Sequence, residues 1–567
     1  MKRALIRCDG ASAPASLKWL DWDITEDLRH RGSRANLNLS VQSPSHALLT
    51  SVTDSAADLM RIASYVYAAD QMVSRGGKAD VYGDSWQRQF AVCIPVNDPA
   101  LWSDRRVSHA LEEVLSFASE DRWSFSFSQA SPEEQQLPFD VEPNTSLGDP
   151  DAVFLFSGGV DSLCAVVEAF AVHRKKPLLL GHSPAFHIAS RQRELARALR
   201  ERFPQVWHFP YLSVAIHRTD SDPRDYTQRT RSFLYASLGA VIADRLGLPE
   251  VGLPDNGVVS LNLPTNAQLL GAKASRTTHP RFFRLFDEFA SLVLPGRPRL
   301  ANPLWARTRA EGLDVLKKAN AVELLQETNS CSHQRNLTAM RPHCGVCLQC
   351  IDRRFATLAA DLEEHDMADR YELDFFRDAL PEGDARTAVM SYVRFAIEVA
   401  EKTGEDLFAR FPELYDALVP NDPDQRETAE RLTCLLRRHG ATILQVVENQ
   451  IGRARRELAR QQLPPTCLIR LLAASGEPQA APDFRPGPGY REVWLRGEKF
   501  NLTPNQARVV QLLHKNYCDG NLGASQAYVL EELEIKSKNL YQVFRGSPAW
   551  GKLVVRGDGR GIYRLNL

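Results

Sequence analysis

Two groups of residues in this chain have types and spacing that could do chemistry. The first is Ser157-Gly158-Gly159-Val160-Asp161-Ser162, directly after the apolar run AVFLF and directly before DSLCAVVEAF. Two adjacent glycines let a backbone approach an anion closely and take conformations that a Cβ forbids, while a helix start offers unpaired N–H groups and about half a positive charge. Such a turn cradles pyrophosphate. The Ser157 and Ser162 hydroxyls can donate to phosphate oxygens, and a carboxylate in this position, Asp161, suits a ligand or orienter of Mg2+. A plain strand-to-helix turn with Asp161 as helix decoration is the simpler reading of a Gly-Gly pair; the full string in its strand–turn–helix context outweighs it.

The second group is Cys331, then Cys344, Cys347 and Cys350. A Cys-x2-Cys turn puts two sulfurs on one side of an ion and a distant cysteine closes the tetrahedron, so four thiolates read as a closed, structural Zn2+ site. An iron-sulfur cluster uses the same ligands and is the sharper rival; free thiols or a redox pair fit four cysteines at this spacing less well.

Elements must hold these groups in place. From residue 150 short apolar strands alternate with helical runs: AVFLF, then a helix from Asp161; PLLLGH, then a helix from about Ala189; VWHFPYL; and a helix from about Arg231 leading into EVGLP. That alternation predicts right-handed crossovers and a parallel sheet covered on both faces, with ligands at the carboxyl ends of its strands. Residues 1–149 alternate strand-like runs (36–41, 89–96) with helical ones (56–72, 107–117) and read as an α+β module ending in a Pro-, Ser- and acid-rich connection. Its aromatics Tyr65, Tyr67, Trp86, Trp102 and Trp123 read as core rather than as a recognition surface. Residues 366 to about 474 are helical by periodicity, and APDFRPGPGY reads as a hinge.

The loop string resembles that of the PP-loop ATP pyrophosphatases, which cleave ATP to AMP and pyrophosphate and adenylate a substrate oxygen; in that fold Gly181 and His182 would neighbour the adenine. Together with Cys344-Gly-Val-Cys347-Leu-Gln-Cys350 and the arginine of Cys350-Ile-Asp-Arg353, it resembles the 7-cyano-7-deazaguanine synthase (QueC) family over about residues 150–362. Gln228-Arg229-Thr230-Arg231-Ser232-Phe233, Asn302-Pro303-Leu304 and Thr308-Arg309-Ala310-Glu311 carry further echoes, with Arg309 where the family has lysine; a solvated side chain is the simple reading of that arginine.

The resemblance implies ATP, Mg2+ and Zn2+ as cofactors. It also implies adenylation of 7-carboxy-7-deazaguanine or a similar carboxylate, followed by displacement of AMP by a nitrogen nucleophile, with Asp161, Arg231 and Arg353 serving the polyanion. The family's acidic and aromatic substrate segment is replaced here by Asp255-Asn256-Gly257-Val258-Val259-Ser260-Leu261-Asn262, in which Asn256 and Asn262 either read a base edge or make turns. The long form with this segment resembles the QueC-like proteins of bacterial anti-phage defence, which implies a protein amino group as a possible acceptor. An RNA-modifying, thiolase-like PP-loop enzyme and a nucleotide-sensing, DNA-binding regulator are the alternative readings.

Residues 491–567 read as strand, three helices from about Thr503, Ser525 and Ser537, and a hairpin with Asp558-Gly559 at its tip, an order that resembles a winged helix. The segment carries 12 Lys plus Arg against 7 Asp plus Glu, whereas the whole chain of 567 residues has a formal charge of −1. Protein docking weighs slightly above DNA reading for it. Global attraction to nucleic acid or to an anionic membrane is not indicated. No apolar run has the length of a spanning helix and the first residues lack a secretion signal, so a cytoplasmic protein is expected. The expected organisation is α/β: an N-terminal α+β domain (1–149), a PP-loop (HUP-type) doubly wound parallel sheet with a zinc-binding element (150–365), a helical domain and linker (366–485) and a winged-helix-like domain (486–567).

Overall fold

The computed structural model describes residues 2–18, 20–30, 35–42, 52–75, 87–131, 140–141, 150–182, 186–204, 211–218, 224–225, 227–264, 276–332, 338, 340–419, 423–474, 484–518, 523–557 and 561–567. Its first strands are β1 (Lys2–Cys8), β2 (Ile24–Leu28), β3 (Leu37–Gln42), β4 (Arg88–Val96), β5 (Arg122–Gln129) and β6 (Asp140–Val141). Next come β7 (Ala152–Leu155), β8 (Pro177–His182), β9 (Tyr211–Arg218), β10 (Glu250–Gly252) and β11 (Arg299–Ala301). One sheet, ordered β2-β1-β4-β5, is parallel throughout. The other is ordered β11-β10-β7-β8-β9-β3-β6; its first five strands are mutually parallel and β3 runs antiparallel to β9.

Helices α1 (Asp54–Met72), α2 (Arg105–Ser119), α3 (Val160–Ala171), α4 (Phe186–Arg202), α5 (Arg231–Leu246), α6 (Pro280–Val293), α7 (Arg309–Lys318) and α8 (Leu348–Ala359) cover these sheets. Side-chain alternation along the strands explains how. Val153, Leu155, Leu178 and Leu180 enter one core with α1, α2, α5 and α6 and with the N-terminal sheet. Their neighbours Ala152, Phe154 and Leu179 enter another with α3, α4 and α7.

Residues 1–149 therefore differ from the expected α+β module. They form a parallel sheet, lend β3 and β6 to the larger sheet, and share a core with it. The strands β1, β2 and β5 (KRALIRC, ITEDL, RWSFSFSQ) carry polar residues among the apolar ones, and the two strands that are legible, β3 and β4, belong to different sheets. Tyr65, Tyr67, Trp102 and Trp123 are core, as expected, while Trp86 lies outside the described residues. Strand β9 of the larger sheet starts at Tyr211, at the end of the run VWHFPYL, whose residues 205–210 are outside the described set.

A buried ion network ties the two sheets. Asp121 accepts from Arg75 (Nη2, 2.6 Å) and Arg88 (Nη2, 2.7 Å), Asp70 pairs with Arg88 and takes the Thr230 amide at 3.0 Å, and Arg229 reaches Glu120 at 2.9 Å. Paired charges with this many hydrogen bonds offset much of the desolvation each would otherwise cost.

Beyond residue 366, α9 (Asp384–Glu401) and α10 (Gln425–Arg453) pack closely at Gly440, where a Cβ would meet the Ala396 carbonyl at 2.4 Å. The C-terminal module contains β12 (Phe484–Pro486), β13 (Glu492–Leu495), β14 (Glu498–Asn501), α11 (Pro504–Cys518), β15 (Ala524–Ser525), α12 (Gln526–Glu532), α13 (Leu540–Val543), β16 (Val554–Arg556) and β17 (Ile562–Leu565). Its sheets are β12-β13-β14 and β15-β17-β16, and its core contains only its own residues. Part of the expected hinge, residues 484–486, is thus a strand paired with β13, while Asp558 and Gly559 lie outside the described residues. Among the described residues no helix is long and apolar enough to cross a membrane.

Candidate functional site

In the larger sheet β8 and β9 extend to one side of β7, whereas β10 and β11 extend to the other. Growth of the sheet reverses between β7 and β10, and at such a point loops part to leave a crevice at the carboxyl ends of the strands. The turn Ser157–Gly159 sits there, between β7 and α3. Gly158 holds φ +81°, which favours glycine, and the N-cap of α3 is Gly159, which has no side chain of its own to cap the helix. Ser157 is exposed, and its hydroxyl lies 3.3 Å from the Ser162 hydroxyl, which in turn donates to the Gly159 carbonyl at 2.9 Å. Gln192 of α4 donates to the Ser157 carbonyl at 3.1 Å and accepts from Tyr211 of β9 at 2.6 Å. Ser157 thus faces solvent while Gly158 is buried and Gly159 half-buried, and the turn is held from outside.

Asp161 is buried and fully engaged. Arg309 grips both its oxygens, Nε at 3.1 Å and Nη2 at 2.8 Å, and Asn256 donates at 3.2 Å. Burial alone would push this carboxyl up; the Arg309 guanidinium and the hydrogen bonds outweigh it and hold the group below the usual carboxylate range. Arg309 also pairs with Asp352 at 2.8 Å, and Asp352 accepts from Tyr392 of α9 at 2.5 Å. Burial and the neighbouring Asp161 charge push the Asp255 carboxyl well above its usual value, so that it keeps its proton and bonds Asp161. Arg309, expected to be solvated, is 3% exposed because three carboxyl groups converge on it.

The other expected site residues separate into three cases. Asn256 is buried; its oxygen accepts the Val259 amide at 3.1 Å and its amide faces Asp161 and Asp352, so it caps a helical turn and bridges carboxylates instead of presenting a free edge to a base. Asn262 takes the left-handed conformation that ends this turn. Arg231 opens α5 at the carboxyl edge of the sheet and is exposed, beside Tyr67, but among the described residues no hydrogen bond or ion pair joins it to the loop. His182 ends β8, and its side chain lies outside the described residues.

Arg353 is wholly buried. It pairs with Asp366 at 2.8 Å and donates to Thr328 at 2.7 Å and to the Leu325 carbonyl at 3.1 Å. It cannot touch a phosphate from there. Instead it fixes the segment leading to Asn329 and Ser330, and these residues, unremarked in the sequence, meet the loop directly. The Asn329 backbone amide donates to the Gly158 carbonyl at 2.9 Å, and the Ser330 hydroxyl accepts from the Val160 amide at 3.4 Å.

The next residue is Cys331. With Cys344, Cys347 and Cys350 it forms a buried cluster whose sulfurs all lie within 4.8 Å of one another, with Cys331–Cys347 at 4.0 Å and Cys344–Cys350 at 3.9 Å. A tetrahedron with Zn–S bonds of about 2.3 Å has edges of about 3.8 Å, so one ion fits. Hydrogen bonding among the four sulfurs pulls the Cys344 and Cys347 thiols down and pushes Cys331 and Cys350 up, so a bound ion would displace protons from the latter pair. The four cysteines could hold a metal such as zinc.

No protein-family model matches the chain, and neither a curated protein nor a solved structure does.

Proposed function

We propose that the chain is a QueC-like, PP-loop enzyme that uses ATP to activate a 7-deazaguanine-type carboxylate and passes the acyl group to a nitrogen nucleophile, in an anti-phage defence setting. The carrying observation is the glycine turn Ser157–Gly159 that opens α3 at the reversal point of the sheet, with Gly158 at φ +81°. The loop amides and the Ser157 and Ser162 hydroxyls would hold the β- and γ-phosphates, leaving the α-phosphorus toward β10. The substrate carboxylate attacks that phosphorus, an acyl-adenylate forms and pyrophosphate leaves; an amine then attacks the acyl carbon, AMP leaves and one proton is released. For nitrile formation a second ATP would dehydrate the amide; for conjugation the amine belongs to a protein.

Mg2+ does not fit on Asp161 as this carboxylate stands, because Arg309 takes both oxygens, and no step is assigned through it. Zn2+ fits the four cysteines, where it would be closed to substrate and serve structure; the short spacing of the sulfurs favours a single ion over a larger iron-sulfur cluster. That favours the ligase reading over the thiolase-like one, which needs a catalytic thiol or cluster.

The test is incubation with ATP, Mg2+ and 7-carboxy-7-deazaguanine, following AMP, pyrophosphate and the masses of both small molecules and co-purified proteins. Stoichiometric AMP and pyrophosphate are expected, with an amide, nitrile or protein-bound product. ATP binding without AMP release would instead indicate a nucleotide sensor.

A further inference from the structure

Three attachments join the helical region beyond residue 366 to the carboxylates behind the Ser157–Gly159 turn. Leu261 and Leu263, which follow Asp255 and Asn256 in the chain, share a core with Phe395 of α9 and with Leu432 and Leu435 of α10. Arg438 of α10 pairs at 2.7 Å with Glu311, whose other oxygen accepts the Thr308 amide at the start of α7, the helix of Arg309. The third attachment runs through Tyr392 of α9, which donates to Asp352 of α8.

Arg309 is one cation shared by two carboxylates. Its Nε and Nη2 serve Asp161, its Nη1 serves Asp352 at 2.8 Å, and Nη2 also reaches the Gln349 side-chain oxygen at 2.8 Å. How the guanidinium divides itself depends on what else satisfies Asp352, because a buried carboxylate short of partners draws the nearest cation. Asp352 gives Oδ2 to Arg309 and Oδ1 to the Tyr392 hydroxyl, at 2.5 Å. Burial and the Asp352 charge push that hydroxyl well above its usual value, so it keeps its proton and stays a donor. Its ring is clamped between Phe355, stacked at 5.4 Å, and His439 of α10, edge-on at 5.6 Å. Burial pulls the His439 imidazole below its usual value, so near neutral pH it brings no second cation to Asp352.

We infer that Tyr392 is a positioning residue for the nucleotide site: by holding Asp352 it leaves Arg309 to neutralise Asp161 beside the turn, which makes the helical region part of that site. The inference rests on the reading of the turn as an ATP site, but not on what the protein does with ATP.

Calorimetric titration of the full chain with ATP and Mg2+, alongside AMP release, tests it. Tyr392→Phe keeps the clamped ring and removes the hydroxyl. Asp352 then pulls Arg309 off Asp161, whose bare charge repels the phosphates, and ATP binding should weaken about tenfold, the size of one lost hydrogen bond to a charged group. Val389→Ala, a buried truncation on the same helix, should lower the melting temperature at least as much yet leave ATP affinity within about twofold of the parent. In an Asp352→Asn background Tyr392→Phe should weaken ATP binding by less than about twofold, since its partner there carries no charge to restrain. Equal affinity in Tyr392→Phe and parent, the same loss from Val389→Ala, or additive losses in the double variant would each overturn the inference. If the parent binds ATP and releases no AMP, the adenylation reading fails while these affinities still decide the role of Tyr392; a parent that binds no ATP overturns both.

Discussion

A carboxylic acid that keeps its proton in the native state lowers stability as the solution becomes more alkaline, and Asp255 is such a group. Unfolded, it titrates near 3.9; folded, burial and Asp161 raise that value well above this. Between the two values the native state binds more protons than the unfolded one, so stability present below the unfolded value is lost as pH rises toward the native one. Asp255→Asn keeps a donor toward Asp161 and an acceptor for Thr278, which lies 3.3 Å away, and removes the titration. Thermal melts from pH 4 to pH 8 should show the variant gaining on the parent as pH rises, by about 1.4 kcal/mol for each pH unit crossed between the unfolded and native values; a constant gap would refute the shared proton. Little of this cluster is legible in the sequence. The loop string is contiguous and so can be read, but Arg309 meets Asp161 across 148 positions of sequence and Asp352 only through the fold. Arg353 stands out by its place after the last cysteine, yet its partner Asp366 lies on a turn that no motif marks.

At the scale of elements, the four-cysteine cluster and the Ser157–Gly159 turn are joined through one short segment. Cys331 follows Ser330 and donates its amide to the Asn329 side chain at 2.9 Å, and the Asn329 amide in turn donates to Gly158 at 2.9 Å. An ion that pins Cys331 would therefore also pin the segment that braces the turn at the start of α3. Stripping the metal with a chelator, or Cys344→Ser, should weaken ATP binding by about tenfold, an ordinary size for energetic linkage between sites, as read by calorimetry. Unchanged affinity in metal-free protein that remains folded would show that the segment holds its place alone. Gly158→Ala attacks the same turn locally: the φ of +81° becomes strained and the new Cβ comes within 3.2 Å of the Gln192 Cγ. Its melt should fall by about 1 kcal/mol while ATP binding falls further, because strain in the backbone misaligns the amides. The strand–turn–helix is readable since its signals are local; the bracing segment is not, since Asn329 and Ser330 are ordinary loop residues until the chain returns them to Gly158.

The molecule as a whole divides at a different place from the one that composition suggests. A Pro- and acid-rich stretch before residue 150 looks like a linker, but the helices α1, α2, α5 and α6 lie in a single core with strands from both sides of it, and Asp70, Arg88 and Asp121 are sealed against Thr230 and Arg229. Cutting there would expose that core, remove β3 and β6 from the larger sheet and leave β9 as a bare edge. The C-terminal module differs, since its apolar residues pack only on one another. Deleting residues 1–149 should thus yield aggregated protein, whereas deleting residues 484–567 should leave a folded protein with the parent's melting transition and the parent's rate of AMP release. The released module should fold on its own, with a separate transition of lower enthalpy in line with its smaller size. Expression of both truncations followed by scanning calorimetry decides the matter: a well-folded product from residue 150 onward would mean that the shared core and its buried ion network are dispensable, and the two-sheet architecture would then be an association of separable domains.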